Sequence, residues 1–250
     1  MLSMHEAAGS MPAYSIDKKN FYKSNSTYKS QGGKAFGNKI KVNQDSFLVF
    51  NNLLGLDYYH IFGVFDGHGQ NGHLVSQFTK LYLSDYFNKQ SNYKIPLNNH
   101  IELYEYIIKD DYKFIRNAFR LTEEQLIKYK IDAEFSGATC NLVVIIDDKI
   151  ISANSGDSRA ILVNENSKNN IIQLCRDHKP DLKDEKARIV KSGGRVDKVF
   201  RFGVCSGPYR VFLKNYNYPG LAMSRSIGDF VAASVGVTCD PEINEYVLLE

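Results

Sequence analysis

Between residues 40 and 66 apolar and polar positions mix as in paired strands. Ile40 to Phe50 combines branched and aromatic residues with polar ones up to an Asn51-Asn52 turn. Tyr58 to Asp66 answers it, predicting an antiparallel pair. From His73 the spacing changes: Leu74, Val75, Phe78, Leu81 and Tyr82 recur at three and four residues, predicting an amphipathic helix. Asn88 to Asn99, with Pro96 inside, breaks it. A second helix is expected from about Ile101 to Phe119, with Ile115, Ala118 and Phe119 on one face. Thr122-Glu-Glu-Gln125 has the form of a capping box and predicts the start of a third.

The next section is β-like. Ala138 to Ile146, an Asp147-Asp148 turn, Lys149 to Ala153, Ser158 to Val163 and Ile171 to Cys175 predict a meander. Asp181 is placed to cap a helix carrying Leu182 and Ile189 that Gly193-Gly194 stops. Residues 197–220 lack a period and read as a long surface excursion. Ile243 to Leu249 predicts a last strand, with Ile243, Val247 and Leu249 on one face. Residues 1–35, rich in Ser, Lys, Asn, Gly and Tyr, read as a mobile or loosely docked polar arm. Strands, then helices, then strands predict an α+β fold of antiparallel sheets with helices packed outside.

Composition narrows the class. At 250 residues with 43% hydrophobic and 24% charged positions, the chain can bury a sizeable core. The net charge of +3 is uneven. Residues 1–50 hold seven lysines against Glu6, Asp17 and Asp45, a net +4, leaving −1 for the rest. A near-neutral body argues against a nucleic-acid-binding core. Cys140, Cys175, Cys205 and Cys239 are too dispersed for a zinc site and too few for a disulfide scaffold, although two disulfides stay open. No apolar run is long enough for a transmembrane helix, and the N-terminus lacks the layout of a signal peptide. Leu2 stands where myristoylation needs glycine. The expectation is a soluble intracellular protein, cytoplasmic or nuclear, without a membrane partner and monomeric.

The candidate chemistry begins at Phe62-Gly-Val-Phe-Asp-Gly-His-Gly69. An apolar strand ends in a carboxylate, Asp66, where a hard cation can be met with oxygen. Gly67 lacks a Cβ, so its carbonyl can approach the same ion. His68 is a side chain whose charge is easily set near neutral pH. Three other stretches repeat an acidic group at a turn: Asn43-Gln-Asp-Ser46, Ser155-Gly-Asp-Ser-Arg159 and Arg225-Ser-Ile-Gly-Asp-Phe230. Each alone is more often an Asp satisfied by its own turn.

Taken in order, these stretches resemble the metal-dependent protein Ser/Thr phosphatases of type 2C. Ser136-Gly-Ala-Thr139, Asp177-His-Lys-Pro180, Gly193-Gly-Arg-Val196, Leu221 to Phe230 and Pro241-Glu242 extend the likeness from about residue 40 to 250. The resemblance implies a four-layer α-β-β-α sandwich of two antiparallel sheets flanked by helices, with residues 36–250 as the catalytic domain. It also implies a binuclear Mg²⁺ or Mn²⁺ centre whose bridging water attacks phosphoserine or phosphothreonine of phosphorylated protein substrates. Asp66 then matches the bridging ligand, Gly67 the carbonyl ligand and His68 the acid for the leaving alkoxide. Asp45 matches the residue that orients metal-bound water. Gln44 stands where many members have Glu. Asp157 matches the ligand of a third, looser ion. Lys41 is the favoured phosphate partner, a point charge without the bidentate fork of Arg.

Structural alternatives stay open. His68 fits a turn histidine bonded to a carboxylate, Asp157 a turn residue paired with Arg159, and Lys41 a solvated strand-edge residue. Asp177 to Pro180 and Arg225 to Phe230 read as structural, although the second could border the site. Arg201, Tyr209, Arg210 and Lys214 lie where the family carries a variable flap. The family also uses two later aspartates, in an Asp-Gly and an Asp-Asn. Asp66-Gly67 is the one Asp-Gly in this sequence, and Asp-Asn does not occur. The expectation is an incomplete metal centre and an apolar sheet edge, in a phosphatase lacking its C-terminal part. The other readings are a non-catalytic relative serving as a binding or regulatory module, and, more weakly, a metal-dependent nuclease.

Overall fold

The computed structural model describes residues 26–33, 41–89, 99–163, 171–201 and 204–248. Its main sheet has five antiparallel strands in the order β1 (Ser46–Phe50), β2 (Tyr59–Phe65), β5 (Cys140–Ile146), β6 (Lys149–Ser155) and β13 (Glu242–Val247). Alternation sets its faces. Tyr59, Ile61 and Phe65 of β2 are fully buried, whereas Val64 between them is 46% exposed. Burying a side chain of this size is worth about 1.5–3 kcal/mol, so Phe65 anchors the strand end that carries Asp66.

Helices α1 (Gly72–Asn88) and α2 (His100–Lys128) pack together, and their inner faces share one core with this sheet. The buried face of α1 is Val75, Thr79, Leu83, Tyr86 and Phe87. Leu74 and Leu81, expected inside, are exposed, because Phe78 and Tyr82 form the margin of the stripe rather than its centre. The predicted second and third helices form one element. Asn99 caps it by accepting from the Glu102 N–H, and Lys109 to Tyr112 break its helical geometry midway. Thr122 does not start a helix. It is buried inside α2, where its hydroxyl donates to the Ala118 carbonyl at 2.7 Å.

The expected meander also divides. β6 takes β13 as its outer neighbour, and β7 (Ile161–Val163) pairs with β8 (Ile171–Gln173) as a separate hairpin. Helix α3 (Lys183–Lys191) begins after Leu182 without a side-chain cap, so Asp181 does not cap it. Gly193, at φ +87°, ends it as the sequence suggests. Most of the predicted surface excursion is a three-stranded sheet of β9 (Gly194–Arg201), β10 (Val204–Leu213) and β11 (Pro219–Leu221). With α3 and the short α4 (Phe230–Ala233), it encloses a second core of Ile189, Val196, Val211, Leu221, Ala232 and Val237. A bulge between Ser206 and Tyr209 interrupts the period, which is why the pattern is hard to read as strand.

Residues 26–33, the described part of the polar arm, dock on β1. The Tyr28 and Phe47 rings lie 4.4 Å apart, and Asn43 donates to the Ser30 hydroxyl. The rest of the expected arm, with Leu249 at the other end, lies outside the described residues. The four cysteines are free thiols. No helix among the described residues is long and apolar enough to cross a membrane. The mixed α+β class with antiparallel sheets and flanking helices is therefore as predicted, while the four-layer stacking stays an implication of the resemblance.

Candidate metal and acid site

Three short strands bring the distant motifs to one place. In a three-stranded sheet, Gly67 and His68 of β3 (Gly67–His68) face Ala138 and Gly137 of β4 (Gly137–Ala138). Those two face Ile227 and Gly228 of β12 (Ile227–Gly228). The Asp66, Ser136 and Arg225 motifs thus meet across a ladder only two residues deep. Gly67 is required by packing: a Cβ there would stand 2.4 Å from the carbonyl oxygens of both Gln44 and Gly72. The same packing fixes the segment that carries Asp45.

Asp66 sits just past β2, held through its backbone. Its N–H donates to Thr139 Oγ1 at 2.9 Å, and its carbonyl accepts from the Thr139 N–H at 3.0 Å. Thr139 Oγ1 also lies 2.6 Å from the Ser158 hydroxyl, so one buried side chain ties the Asp66 turn to the Asp157 turn. Thr139→Val keeps the shape and orphans the Asp66 N–H. The expected loss is about 1–3 kcal/mol, read as a lower urea midpoint at unchanged m-value.

The carboxylates converge electrostatically. The Asp66 carboxyl is raised above its ordinary range, first by desolvation, then by the charges of Asp45 and Asp157 and a hydrogen bond shared with Asp45; His68 opposes this. Carboxylates crowded enough to raise the Asp66 carboxyl are an oxygen donor set a divalent cation would relieve. Among the described residues, however, no three His, Cys, Asp or Glu side chains are arranged to hold an ion. The donor chemistry fits a hard cation, and the set on this chain is partial.

The other site residues fall as follows. His68 Nε2 lies 2.6 Å from Asp229 Oδ2, and Asp229 is buried. Burial would lower the His68 pKa, but the hydrogen bond and charge of Asp229, with the charges of Asp66 and Asp157, raise it overall. Gln44 spends its Nε2 on the Gly69 carbonyl at 2.9 Å, bracing the turn around His68. Asp157 pairs with Lys179 rather than with Arg159, which instead forks onto Asp177 at 2.8 and 3.0 Å. Asp177 to Pro180 therefore supports the Asp157 turn, a link reinforced by the Gly156 N–H donating to buried His178 Nδ1 at 3.1 Å. Lys41 is exposed, and none of the ion pairs among the described residues includes it.

On β9–β11, Tyr209 stacks under Lys198, Arg210 donates to the Gly220 carbonyl and Lys214 is exposed; the Arg201 side chain lies outside the described residues. A groove of about 690 Å³ there is lined by Arg195, Lys198, Phe200 and Arg210, and by none of the candidate metal residues. Asp229 lies in an acidic turn that the sequence singles out but that reads as structural, and its partner was not foreseen. Its signal was present, a Gly-Asp turn repeating the Gly156-Asp157 theme, but nothing in the spacing ties it to His68.

Comparison with known proteins agrees with this frame. The family profile described as Protein phosphatase 2C matches residues 30–250. "Probable protein phosphatase 2C 35" of Arabidopsis thaliana is 33% identical, the alignment covering 82% of this chain and 59% of that protein. "Probable protein phosphatase 2C 72" of the same plant is 35% identical over 84% of this chain and 62% of its own length. The chain thus spans about three fifths of these relatives. Among solved structures, a serine-threonine phosphatase 2C from Toxoplasma gondii superposes with a TM-score of 0.69 at 20% identity, covering 89% of this chain and 72% of that one. A C. elegans sex determining protein gives 0.58 at 21% identity, over 90% and 50%. Those two likenesses concern the fold, whereas the profile and the sequence relatives carry descent. By its motifs, their order and the extent of the match, this chain belongs to the protein phosphatase 2C family.

Proposed function

We propose that this chain carries one part of the active centre of a metal-dependent protein phosphatase that hydrolyses phosphoserine and phosphothreonine in phosphorylated proteins. The observation that supports it best is that Asp66, at the head of the ladder that carries His68, feels the charges of Asp45 and Asp157 and shares a hydrogen bond with Asp45. Asp66, the Gly67 carbonyl and Asp45 would hold Mg²⁺ or Mn²⁺, with Asp157 serving a looser third ion. When bound, such ions supply an activated water and neutralise phosphate charge. His68 gives a proton to the leaving alkoxide. Lys41 offers the phosphate a point charge. Gln44 keeps Oε1 as a neutral acceptor, so it contributes orientation without charge.

A non-catalytic binding or regulatory module is the second reading. It is favoured by two side chains already occupied, Gln44 by Gly69 and Asp157 by Lys179. Two measurements separate them. Calorimetric titration should show Mn²⁺ binding that Asp66→Asn weakens by about 10–100-fold. Phosphate release from a phosphothreonine peptide should require Mn²⁺ and fall at least about tenfold in the same variant. Binding without release in the full-length protein supports the module. Release that is indifferent both to Mn²⁺ and to Asp66→Asn sinks the phosphatase reading.

A further inference from the structure

We propose that Asp229 is the positioning residue for His68, holding the ring by its Nε2–H so that Nδ1 is the nitrogen left to exchange a proton. This rests on the reading of His68 as the acid. An ionised carboxylate only accepts hydrogen bonds, so the 2.6 Å contact between Asp229 Oδ2 and His68 Nε2 assigns the proton on Nε2 to Asp229. His68 Nδ1 is buried and has no hydrogen-bond partner among the described residues. One ring nitrogen is therefore committed and the other is unpaired.

The carboxylate is itself held from several sides. Asp229 Oδ2 also accepts from the Ser226 hydroxyl at 2.7 Å. Its backbone N–H donates to the Ser136 carbonyl at 2.9 Å, although the residue sits in left-handed geometry at φ 50°. The preceding Gly228 N–H donates to Glu123 Oε1 at 3.3 Å. Gly137, which faces both His68 and Gly228 across the ladder, leaves room for this oxygen: a Cβ there would lie 2.2 Å from Oδ2. A non-Gly residue in left-handed geometry costs about 1–3 kcal/mol, and it persists where surroundings over-determine it. Asp tolerates that geometry better than most residues, and here the oxygen that Ser226 of its own turn holds also meets a residue 161 positions earlier. A residue serving only its own turn would be satisfied locally. Fixing ring orientation and tautomer through the second nitrogen is the service a buried carboxylate gives a working histidine.

The test has two arms, the spectroscopic one on the 250-residue chain and the kinetic one on the full-length protein. In the ¹⁵N-labelled, metal-free protein, the His68 Nε2–H should give a proton signal protected from solvent exchange, and Asp229→Ala should remove it. Asp229→Asn, which keeps the shape and a neutral acceptor, should retain the fold and leave a weakened signal. With Mn²⁺, Asp229→Ala should lower kcat on a phosphothreonine peptide by about 10²-fold while changing p-nitrophenyl phosphate, whose leaving group needs no proton, by less than about threefold. His68→Gln should show the same split. An unchanged Nε2–H signal in Asp229→Ala overturns the assignment, and so do equal losses on both substrates in that variant. Should His68→Gln lose both substrates equally, the acid reading falls and the positioning role with it. Should His68→Gln show the split and Asp229→Ala not, only the role of Asp229 falls.

Discussion

Gly67→Ala is expected to lower the thermal midpoint by roughly 6–12 °C and to remove the Mn²⁺ response. The added carbon would meet the Gln44 carbonyl at 2.4 Å, the Gly72 carbonyl oxygen at 2.4 Å and the Gly72 carbonyl carbon at 2.7 Å. All three are backbone atoms, so no rotamer change relieves the clash. Overpacking of this kind costs about 1–3 kcal/mol or more, and each kcal/mol moves the midpoint of a chain this size by about 2–4 °C. The functional loss has the same cause. Relief requires separating β3 from the Gln44-Asp45 segment or from the start of α1, and either movement takes Asp45 away from Asp66. Gly33→Ala is the control, since a Cβ there meets nothing within 4 Å. Scanning calorimetry compares the two. A Gly67→Ala midpoint no lower than that of Gly33→Ala would show that the ladder yields easily and that Gly67 is not a packing requirement.

That glycine marks the limit of what sequence could disclose. The apolar run into Asp66 and its antiparallel partner were legible because alternation with a buried face leaves one register for β1 against β2. Gly67 was read as freeing a carbonyl for an ion; the need for close approach to Gln44 and Gly72 depends on segments that meet only in the fold. The contact of Asp229 with His68 was hidden for the same reason: the two are 161 residues apart and meet through a ladder of two-residue strands, too short to leave a period. Local pattern also misplaced Thr122. A capping box needs the chain to enter the helix there, whereas α2 resumes after its break at Lys109 to Tyr112 and is already helical where it runs through Thr122. The β9–β10 hairpin was missed because its bulge and its Gly, Pro and basic residues mimic a loop. In each case the residue types were visible and the contact was not.

Replacing Glu185 with Gln is expected to cost about 3 kcal/mol of folding free energy, near the lower end for breaking a buried ion pair. Glu185 is fully buried and accepts from three sources: Arg188 at 2.7 and 2.8 Å, Arg225 at 2.7 Å and the Ser224 hydroxyl at 2.6 Å. It thereby fastens α3 to the segment that leads into β12 and Asp229. The lower figure is appropriate because both arginines keep other acceptors: Arg188 reaches the Gly236 and Ser224 carbonyls, and Arg225 the Asp240 carbonyl. The pH dependence follows from the same contacts. Burial alone would raise the Glu185 carboxyl, but the hydrogen bonds from Arg188, Arg225 and Ser224 outweigh it and hold it far below the usual range. A carboxyl depressed in the folded state contributes fully above its unfolded pKa, whose reference value is 4.5, and loses that contribution as pH falls below it. Urea denaturation should therefore show the gap between wild type and Glu185→Gln constant from pH 8 to 6 and narrowing below about pH 4.5. Asp184, lowered to about 2 chiefly by its hydrogen bond to Arg176, adds an acid loss common to both proteins, so it cancels in the difference. A gap that stays constant down to pH 3 would mean that the ionised form of Glu185 is not what joins α3 to the site.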